Sequence, residues 1–316
     1  MKVSILGTGL RCIPTTLDYR QDLSKLKTFL LKSASRLFWG CGIQNKSPTV
    51  PYKEVMNSDN GVRRWVSNIH RYGFSYVDGC PVTPEATEKL LERIAFIRHT
   101  HYGGFWDFTS DLSLKDTAYT SIALGAHTDT TYFSDPAGLQ MFHLLSHTHG
   151  EGGASLLVDG FRAAHILKEE SPEAYQVLSD VRVPTHASGN EGISIQPYSS
   201  FPVLNHHPVT GELALIRWNN DDRATMDEWT SEQQVEEWYD AARRWAEILR
   251  RNSSEYWEQL RPGRPLSKWF VLLAITNRAE KARRQSSTIG GSYTEDRLSL
   301  EREGFVAVMV KQTIVD

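Results

Sequence analysis

The sequence predicts a mainly β fold carrying added helices, a β-sandwich or jelly roll. Two observations predict it. Short β-prone runs, "SLLVDGF" at 155–161, "FPVLNHHP" at 201–208 and "ELALIRWNN" at 212–220, are bounded by Gly, Pro and Asn and joined by long connections. Around them, three stretches switch to helical spacing. The chain has 316 residues, 40% of them hydrophobic, enough for one large core.

The elements follow in chain order. Residues 1 to about 50 are poorly patterned and read as an N-terminal extension; residues 51–316 read as one domain of catalytic size. A helix is expected after Asp59, with Val62, Trp65, Val66 and Ile69 on one stripe and Gly73 as its stop. "TPEATEKLLERIAFIRHT" reads as a second helix, capped by Thr83, with Pro84 in its first turn and Leu90, Ile94 and Ile97 on one face. The longest helix is expected from about Ser231 to Asn252. Ser231 and Gln234 form a capping box, and Val235, Trp238, Ala242, Trp245 and Leu249 line its buried side.

Composition narrows the function classes. Lys plus Arg is 35 and Asp plus Glu is 38, a net charge of -3, so nucleic acid is not an expected partner. The longest apolar run, near Phe270–Ile275, is too short to cross a bilayer. The three cysteines, Cys12, Cys41 and Cys80, are far apart, which argues against a disulfide scaffold or a CxxC zinc site and fits a reducing compartment. The N-terminus lacks the pattern of a secretory signal, and the basic, amphipathic stretch Lys25–Phe38 makes a mitochondrial presequence the alternative to a cytoplasmic location. Nine Trp, twelve Tyr and twelve Phe fit either a well-filled core or a pocket that uses ring faces.

The candidate chemistry is in "GAHTDTTYF", residues 125–133. His127 and Asp129 are separated by one residue, so on extended backbone they point to the same side and can share a metal. Non-heme Fe(II) oxygenases use such a pair plus one more histidine, leaving positions open for co-substrate and O2. By itself His-x-Asp is a weak signal, and a surface turn capped by Asp129 explains it equally well. Two rival pairs, His99-Thr-His101 and His147-Thr-His149, are no more specific.

Longer motifs change that balance. "HTHYGGFWDFTSD", "KDTAYTSIALGAHTDTTYFSDPAGLQMFHLLSHTHGEGGASLLVDGF" and "LIRWNNDDR" resemble the trimethyllysine and γ-butyrobetaine dioxygenase family of 2-oxoglutarate-dependent oxygenases, over about residues 37–266. The resemblance implies a double-stranded β-helix, with Fe(II) as cofactor, 2-oxoglutarate and O2 as co-substrates and ascorbate as a candidate reductant. It implies hydroxylation of N6-trimethyllysine at C3 in carnitine synthesis, a small-molecule substrate and no membrane or nucleic-acid partner. A homodimer is one assembly it allows. Carried over by position, it makes His127 and Asp129 iron ligands and Ser155 a 2-oxoglutarate contact. Tyr102, Trp106 and Tyr119, with Asp116 nearby, become the trimethylammonium pocket. A quaternary ammonium has no N–H to donate, so ring faces and a nearby negative charge suit it.

The resemblance breaks near the C-terminus. The family's third ligand lies in a run of the form D-N-x-R-V-L-H-G-R shortly after a Pro-Gly-Arg like Pro262-Gly263-Arg264. This chain continues "PLSKWFVLLAITNRAEKARRQSSTIGGSY" and has no histidine after His207. Residues 267–288 therefore read as a replaced segment, in which Arg283 or Arg284 is the candidate clamp for 2-oxoglutarate. "WFVLLAI" has the bulk of a buried strand that could fill the missing place. Three accounts stand open: a spliced or mis-joined segment that damages the enzyme, a variant iron site, and a non-catalytic relative that binds a quaternary amine. A related oxygenase with a different amino-acid-like substrate is a further alternative. The N-terminus also lacks the Cys/His cluster of the zinc-binding domain that family members often carry, so no structural zinc is expected.

Overall fold

The computed structural model describes residues 36–109, 125–147, 154–188 and 191–269, with the strands Leu272–Ile275 and Glu303–Val310; for those two strands and for 106–109 it describes the backbone alone. Residues 25–35 of the basic stretch, Cys12, Arg283 and Arg284 lie outside the described residues, as do Asp116 and Tyr119.

Among the described residues, fifteen strands follow one another: β1 (Thr49–Pro51), β2 (Phe74–Asp78), β3 (Phe105–Thr109), β4 (Leu139–His147), β5 (Ala154–Val158), β6 (Arg182–Val183), β7 (Ala187–Ser188), β8 (Ser194–Ile195), β9 (Phe201–Pro202), β10 (Leu204–His206), β11 (Leu213–Ile216), β12 (Glu255–Gln259), β13 (Leu266–Trp269), β14 (Leu272–Ile275) and β15 (Glu303–Val310). A six-stranded sheet runs β1-β2-β13-β4-β15-β3, and a three-stranded sheet runs β12-β5-β14. Apart from the parallel β1–β2 pair, the pairings within these two sheets are antiparallel. Such ladders solvate or cover each face independently, and the alternation along the strands shows which face is which.

That alternation sorts the core into layers. Phe74 and Tyr76 of β2, Phe142 and Leu144 of β4, Leu157 of β5, Tyr256 of β12 and Leu266 of β13 form one buried cluster between the two sheets. Val77, Leu139 and Met141 point the other way and pack with Val55, Trp65, Ile69, Leu90 and Leu91 from the N-terminal helices. Leu156 and Val158, on the opposite face of β5, pack under the helices Gly160–Glu170, Pro172–Asp180 and Glu232–Leu249. The order is helices, sheet, sheet, helices: a mixed α/β sandwich.

The helix Asp59–Tyr72 forms as its stripe predicts. Ser58 Oγ accepts the Gly61 N–H, and Gly73 closes it with φ 78°, a left-handed cap that glycine adopts without strain. A Cβ at Gly61 would run into the Glu54 carbonyl of the preceding helix, so the close crossing needs glycine there. The longest helix spans Glu232–Leu249. Ser231 Oγ accepts the Gln234 N–H, and the Gln234 side chain reaches back to the Thr230 N–H. Trp238 and Trp245 are buried beneath it; truncating either would cost about 3–5 kcal/mol.

The second helix is shorter than its sequence predicts. Thr83 caps it and Pro84 opens it, but it spans only Pro84–Glu92. The Arg93 and Ile94 N–H groups turn back to the carbonyls of Leu90 and Leu91, three residues away. Arg93 Nε, meanwhile, is drawn 3.1 Å from the Val55 carbonyl. Tightening of the last turn ends the helix, and Ile94 and Ile97 pack on the same core from the loop beyond it. The packed unit also starts earlier than residue 50. Trp39 is buried between the sheets, with its backbone N–H on Asp159 Oδ2 at 3.0 Å.

Where the resemblance breaks, Leu266–Trp269 and Leu272–Ile275 form strands. β13 pairs with β2 and β4, and β14 pairs with β5, setting Leu272 opposite Val158 and Ile275 opposite Ser155. "WFVLLAI" thus supplies partners to both sheets, as its bulk suggests.

The Pro262-Gly263-Arg264 turn is pinned from β4. Thr87 Oγ1 donates to the Thr83 carbonyl, so at 2.7 Å it must accept from His143 Nδ1. That leaves His143 Nε2 as the acceptor for the Gly263 N–H at 3.2 Å, and the imidazole is neutral. Burial lowers the His143 pKa from 6.5 to about 4. Between those values the unfolded chain binds the proton and the folded one does not, so this contribution is full above pH 6.5 and is lost as pH falls toward 4. It amounts to about 3 kcal/mol. In denaturant unfolding at pH 7, 5.5 and 4, the stability advantage of wild type over His143→Leu should shrink as pH falls. A constant difference would show that the histidine is not buried neutral.

Candidate metal and substrate site

Among the described residues, the inner faces of the two sheets carry polar side chains as well as the apolar cluster. On β13, Lys268 shares the face of Leu266; on β4, its register partner Gln140 shares the face of Phe142; on β5, Ser155 shares the face of Leu157. All three are nearly fully buried. Gln140 Oε1 and Ser155 Oγ have no hydrogen-bond partner among the described residues. A buried orphan polar atom costs about 1–3 kcal/mol, so the two, one on each sheet's inner face, mark positions where something polar is meant to bind.

His127 and Asp129 meet beside Lys268. His127 Nε2 lies 3.1 Å from Asp129 Oδ1, and Asp129 Oδ2 lies 2.9 Å from Lys268 Nζ. Proton accounting constrains the imidazole. His127 Nδ1 lies 2.8 Å from the Gly125 carbonyl, which only accepts, so Nδ1 carries a hydrogen. Nε2 faces a carboxylate oxygen, so it either carries a second proton or shares a cation with Asp129. In accord, burial pushes the His127 pKa down, but the hydrogen bond and charge of Asp129 and the Gly125 carbonyl outweigh it and raise the pKa above its ordinary value. Burial favours the neutral Asp129 carboxyl, yet Lys268 and His127 hold it far below the usual carboxylate range. Lys268 is pulled down by burial and supported by Asp129.

The "LIRWNN" run fixes this geometry. Thr128 donates its N–H to the Trp218 carbonyl at 2.8 Å, and Thr128 Oγ1 accepts the Trp218 N–H at 2.9 Å. Arg217 is buried and donates to the carbonyls of Thr131, Phe133 and Ser134 at 3.0, 2.8 and 2.9 Å, with its guanidinium over the Phe201 ring. Burial lowers the Arg217 pKa to about 10, so it stays charged at neutral pH. Thr131 Oγ1 donates to Asp222 Oδ2 at 2.7 Å, and burial raises the Asp222 pKa to about 6. Between these anchors Thr130 holds φ 56°, a left-handed conformation that a β-branched residue adopts only when its surroundings impose it. The strain sits beside Asp129.

Of the residues the sequence singles out, the structure brings together His127 and Asp129; Ser155 is buried on β5 of the three-stranded sheet, on the face of Leu157. Tyr102 lies against His101, ring centroids 3.9 Å apart, and His101 continues to Tyr132 and Phe133 at 5.8 and 6.1 Å. Tyr132 and Phe133 belong to the loop that follows Asp129. Trp106 is on β3, opposite Ala307 of β15; its side chain, Asp116, Tyr119 and His149 lie outside the described residues. The rival pair His99/His101 contributes its second ring to the aromatic cluster.

Sequence reading missed Lys268, Arg217, Gln140 and Asp222. Lys268 and Arg217 did leave a signal: each is a lone charge inside an apolar, strand-length run, and such a charge is seldom buried without a partner.

The donor set can be tested against the iron that the resemblance implies. His127 Nε2 and an Asp129 oxygen are the right types and converge. No group of three or more His, Cys, Asp or Glu able to hold a metal exists among the described residues. The third neighbour is an ammonium, which has three donors and no lone pair to give. These residues therefore do not make a complete Fe(II) site.

Comparison with known proteins gives a consistent picture. The profile of the "Taurine catabolism dioxygenase TauD, TfdA family" matches residues 38–265, ending where β13 begins. The trimethyllysine dioxygenase of Neurospora crassa is 51% identical over 269 residues, 74% of this chain; the chain spans 57% of that relative's length. That of Meyerozyma guilliermondii is 42% identical over 273 residues, covering 84% of this chain and 68% of the relative. Among solved structures, a putative alpha-ketoglutarate-dependent taurine dioxygenase from Burkholderia xenovorans shares the fold, with TM-score 0.58, 12% identity and coverage of 88% of this chain and 92% of that one.

Arg217→Met would leave three loop carbonyls without their donor. We expect a loss of about 3 kcal/mol in urea unfolding, since the three carbonyls lose the charged donor that satisfies them. A loss under about 1 kcal/mol would mean that the loop holds its shape without the clamp.

Proposed function

The chain belongs to the TauD/TfdA dioxygenase family, and on that footing we propose that it is a 2-oxoglutarate-dependent oxygenase acting on a quaternary amine. The reaction is the hydroxylation of N6-trimethyllysine at C3, which opens carnitine biosynthesis, with O2 as the other co-substrate and Fe(II) as the family's metal. The observation that carries the reading is the 42–51% identity to trimethyllysine dioxygenases over most of the chain, together with the meeting of His127 and Asp129. The whole reaction is a proposal because the chain spans little more than half of the Neurospora relative.

The fold proposed for it is the double-stranded β-helix, supported by two facing sheets with polar groups gathered on their inner surfaces. The oxygenase domain expected from residue 51 takes in residues 36–50 as well, since Trp39 and β1 belong to its core. Ser155 is the proposed 2-oxoglutarate contact. Its buried, unpartnered Oγ supports that role, and Gln140 Oε1 is a second group free to take part. Tyr102 is the proposed substrate contact among described side chains, in a ring cluster with His101, Tyr132 and Phe133. Trp106, Tyr119 and Asp116 remain proposed partners. The residues' task is to hold the trimethylammonium group against ring faces and to keep water from the reacting carbon. Among the described residues His127 and Asp129 are the donors available to the metal.

One observation favours a second reading, a binder of quaternary amines without turnover: the Lys268 ammonium on Asp129. Incubation with trimethyllysine, 2-oxoglutarate, Fe(II) and O2, followed by mass spectrometry, separates the two. The oxygenase reading expects a product heavier by one oxygen and matched by 2-oxoglutarate consumption. Binding without product supports the second reading, and neither binding nor product sinks both. By calorimetry, trimethyllysine should bind more tightly than lysine, and Tyr102→Ala should reduce that preference by about 1 kcal/mol. Equal affinities would make the rings ordinary packing.

A further inference from the structure

Asp129 meets two side chains at once, His127 Nε2 at one oxygen and the Lys268 ammonium at the other. Lys268 is not a surface residue that has folded over the site. It is the third residue of β13, paired with Phe74 of β2 on one side and Gln140 of β4 on the other. Its side chain is 4% exposed, against 26% for Asp129. Its Nζ lies 5.5 Å from the Phe142 ring centroid, so the stem runs along the apolar face and the charge ends on the carboxylate. The strand register thus delivers a positive charge to the one carboxylate that a divalent cation would need.

We infer that Lys268 is a built-in cation that competes with a metal for Asp129, so that His127 and Asp129 bind a divalent ion far more tightly when the Lys268 head is removed. The inference rests on the reading of His127 and Asp129 as a metal-binding pair. Three physical facts carry it. A partly buried carboxylate gains most from a close opposite charge, and Lys268 already supplies one at 2.9 Å. A protonated amine donates and cannot ligate, so Lys268 does not serve as the missing third donor. A divalent ion on the same carboxylate would face an ammonium 2.9 Å from that carboxylate, at a buried site where charges are weakly screened. Lys268 therefore acts as an internal competitor for metal, and its position follows from sheet pairing.

The test titrates the full chain with Co(II) alone, without co-substrate, and reads calorimetric affinity together with the visible Co(II) absorption. Wild type should bind Co(II) weakly. Lys268→Met, which keeps the stem on Phe142 and removes the charge, should bind at least tenfold more tightly. Adding His127→Ala to Lys268→Met should abolish the gain. Lys268→Gln serves as the second variant if Lys268→Met does not fold. The rise in Tm with added Co(II) should be larger for the variant than for wild type. If wild type binds Co(II) as tightly as the variant, the inference falls while the metal-pair reading stands. If neither folded protein binds Co(II), the inference falls together with that reading.

Discussion

A carboxylate drawn partly out of water against the buried face of a sheet needs a close opposite charge, and Asp129 is that carboxylate. Moving an ionised group out of water costs several kcal/mol even after relaxation, and the cost is recovered only through close opposite charge and good hydrogen bonds. Here the partners are His127 at 3.1 Å and Lys268 at 2.9 Å. Each is supplied by a different route. The histidine comes from the same short segment, two residues away. The lysine comes from β13, 139 residues later, and its charge arrives only because β13 pairs in register between β2 and β4. Slipping that register by one residue would turn Lys268 to the other face and leave Asp129 without its second cation.

The rest of the architecture serves to keep this arrangement in place. The loop 130–134 carries a strained threonine, and strain of this kind persists only when neighbours over-determine it. Those neighbours are the Arg217 clamp on three carbonyls, the reciprocal bonds between Thr128 and Trp218, and the Thr131–Asp222 contact. Arg217 and Trp218 directly follow β11, and Trp218 belongs to the core that packs under the longest helix, against Trp245. The polar site and the large aromatic core are therefore linked by consecutive residues. His143 performs a similar service on the other side, where one neutral imidazole joins the helix Pro84–Glu92 through Thr87 to the turn at Gly263 that leads into β13.

Much of this was legible in the sequence, and the reasons are local. The caps at Thr83 and Ser231, the stop at Gly73 and the stripes of Trp65 and Trp238 follow from side-chain chemistry within a few residues. His127 and Asp129 were found because extended backbone puts residues two apart on one side. The β-prone bulk of "WFVLLAI" marked it as strand. By contrast, the end of the second helix was set by Arg93 reaching to Val55, a contact between elements that periodicity does not carry.

What the sequence by itself determined about this protein is its family, its apolar layers and the two metal-type donors, because these rest on motifs and on spacing along one segment. What only the tertiary structure decided is the company Asp129 keeps. Lys268, Gln140 and Ser155 are distant in the chain and ordinary in composition. Lys268 and Gln140 become neighbours through antiparallel pairing and Ser155 takes its place on the other sheet, and no pattern along a single strand encodes which cation will meet a carboxylate from another.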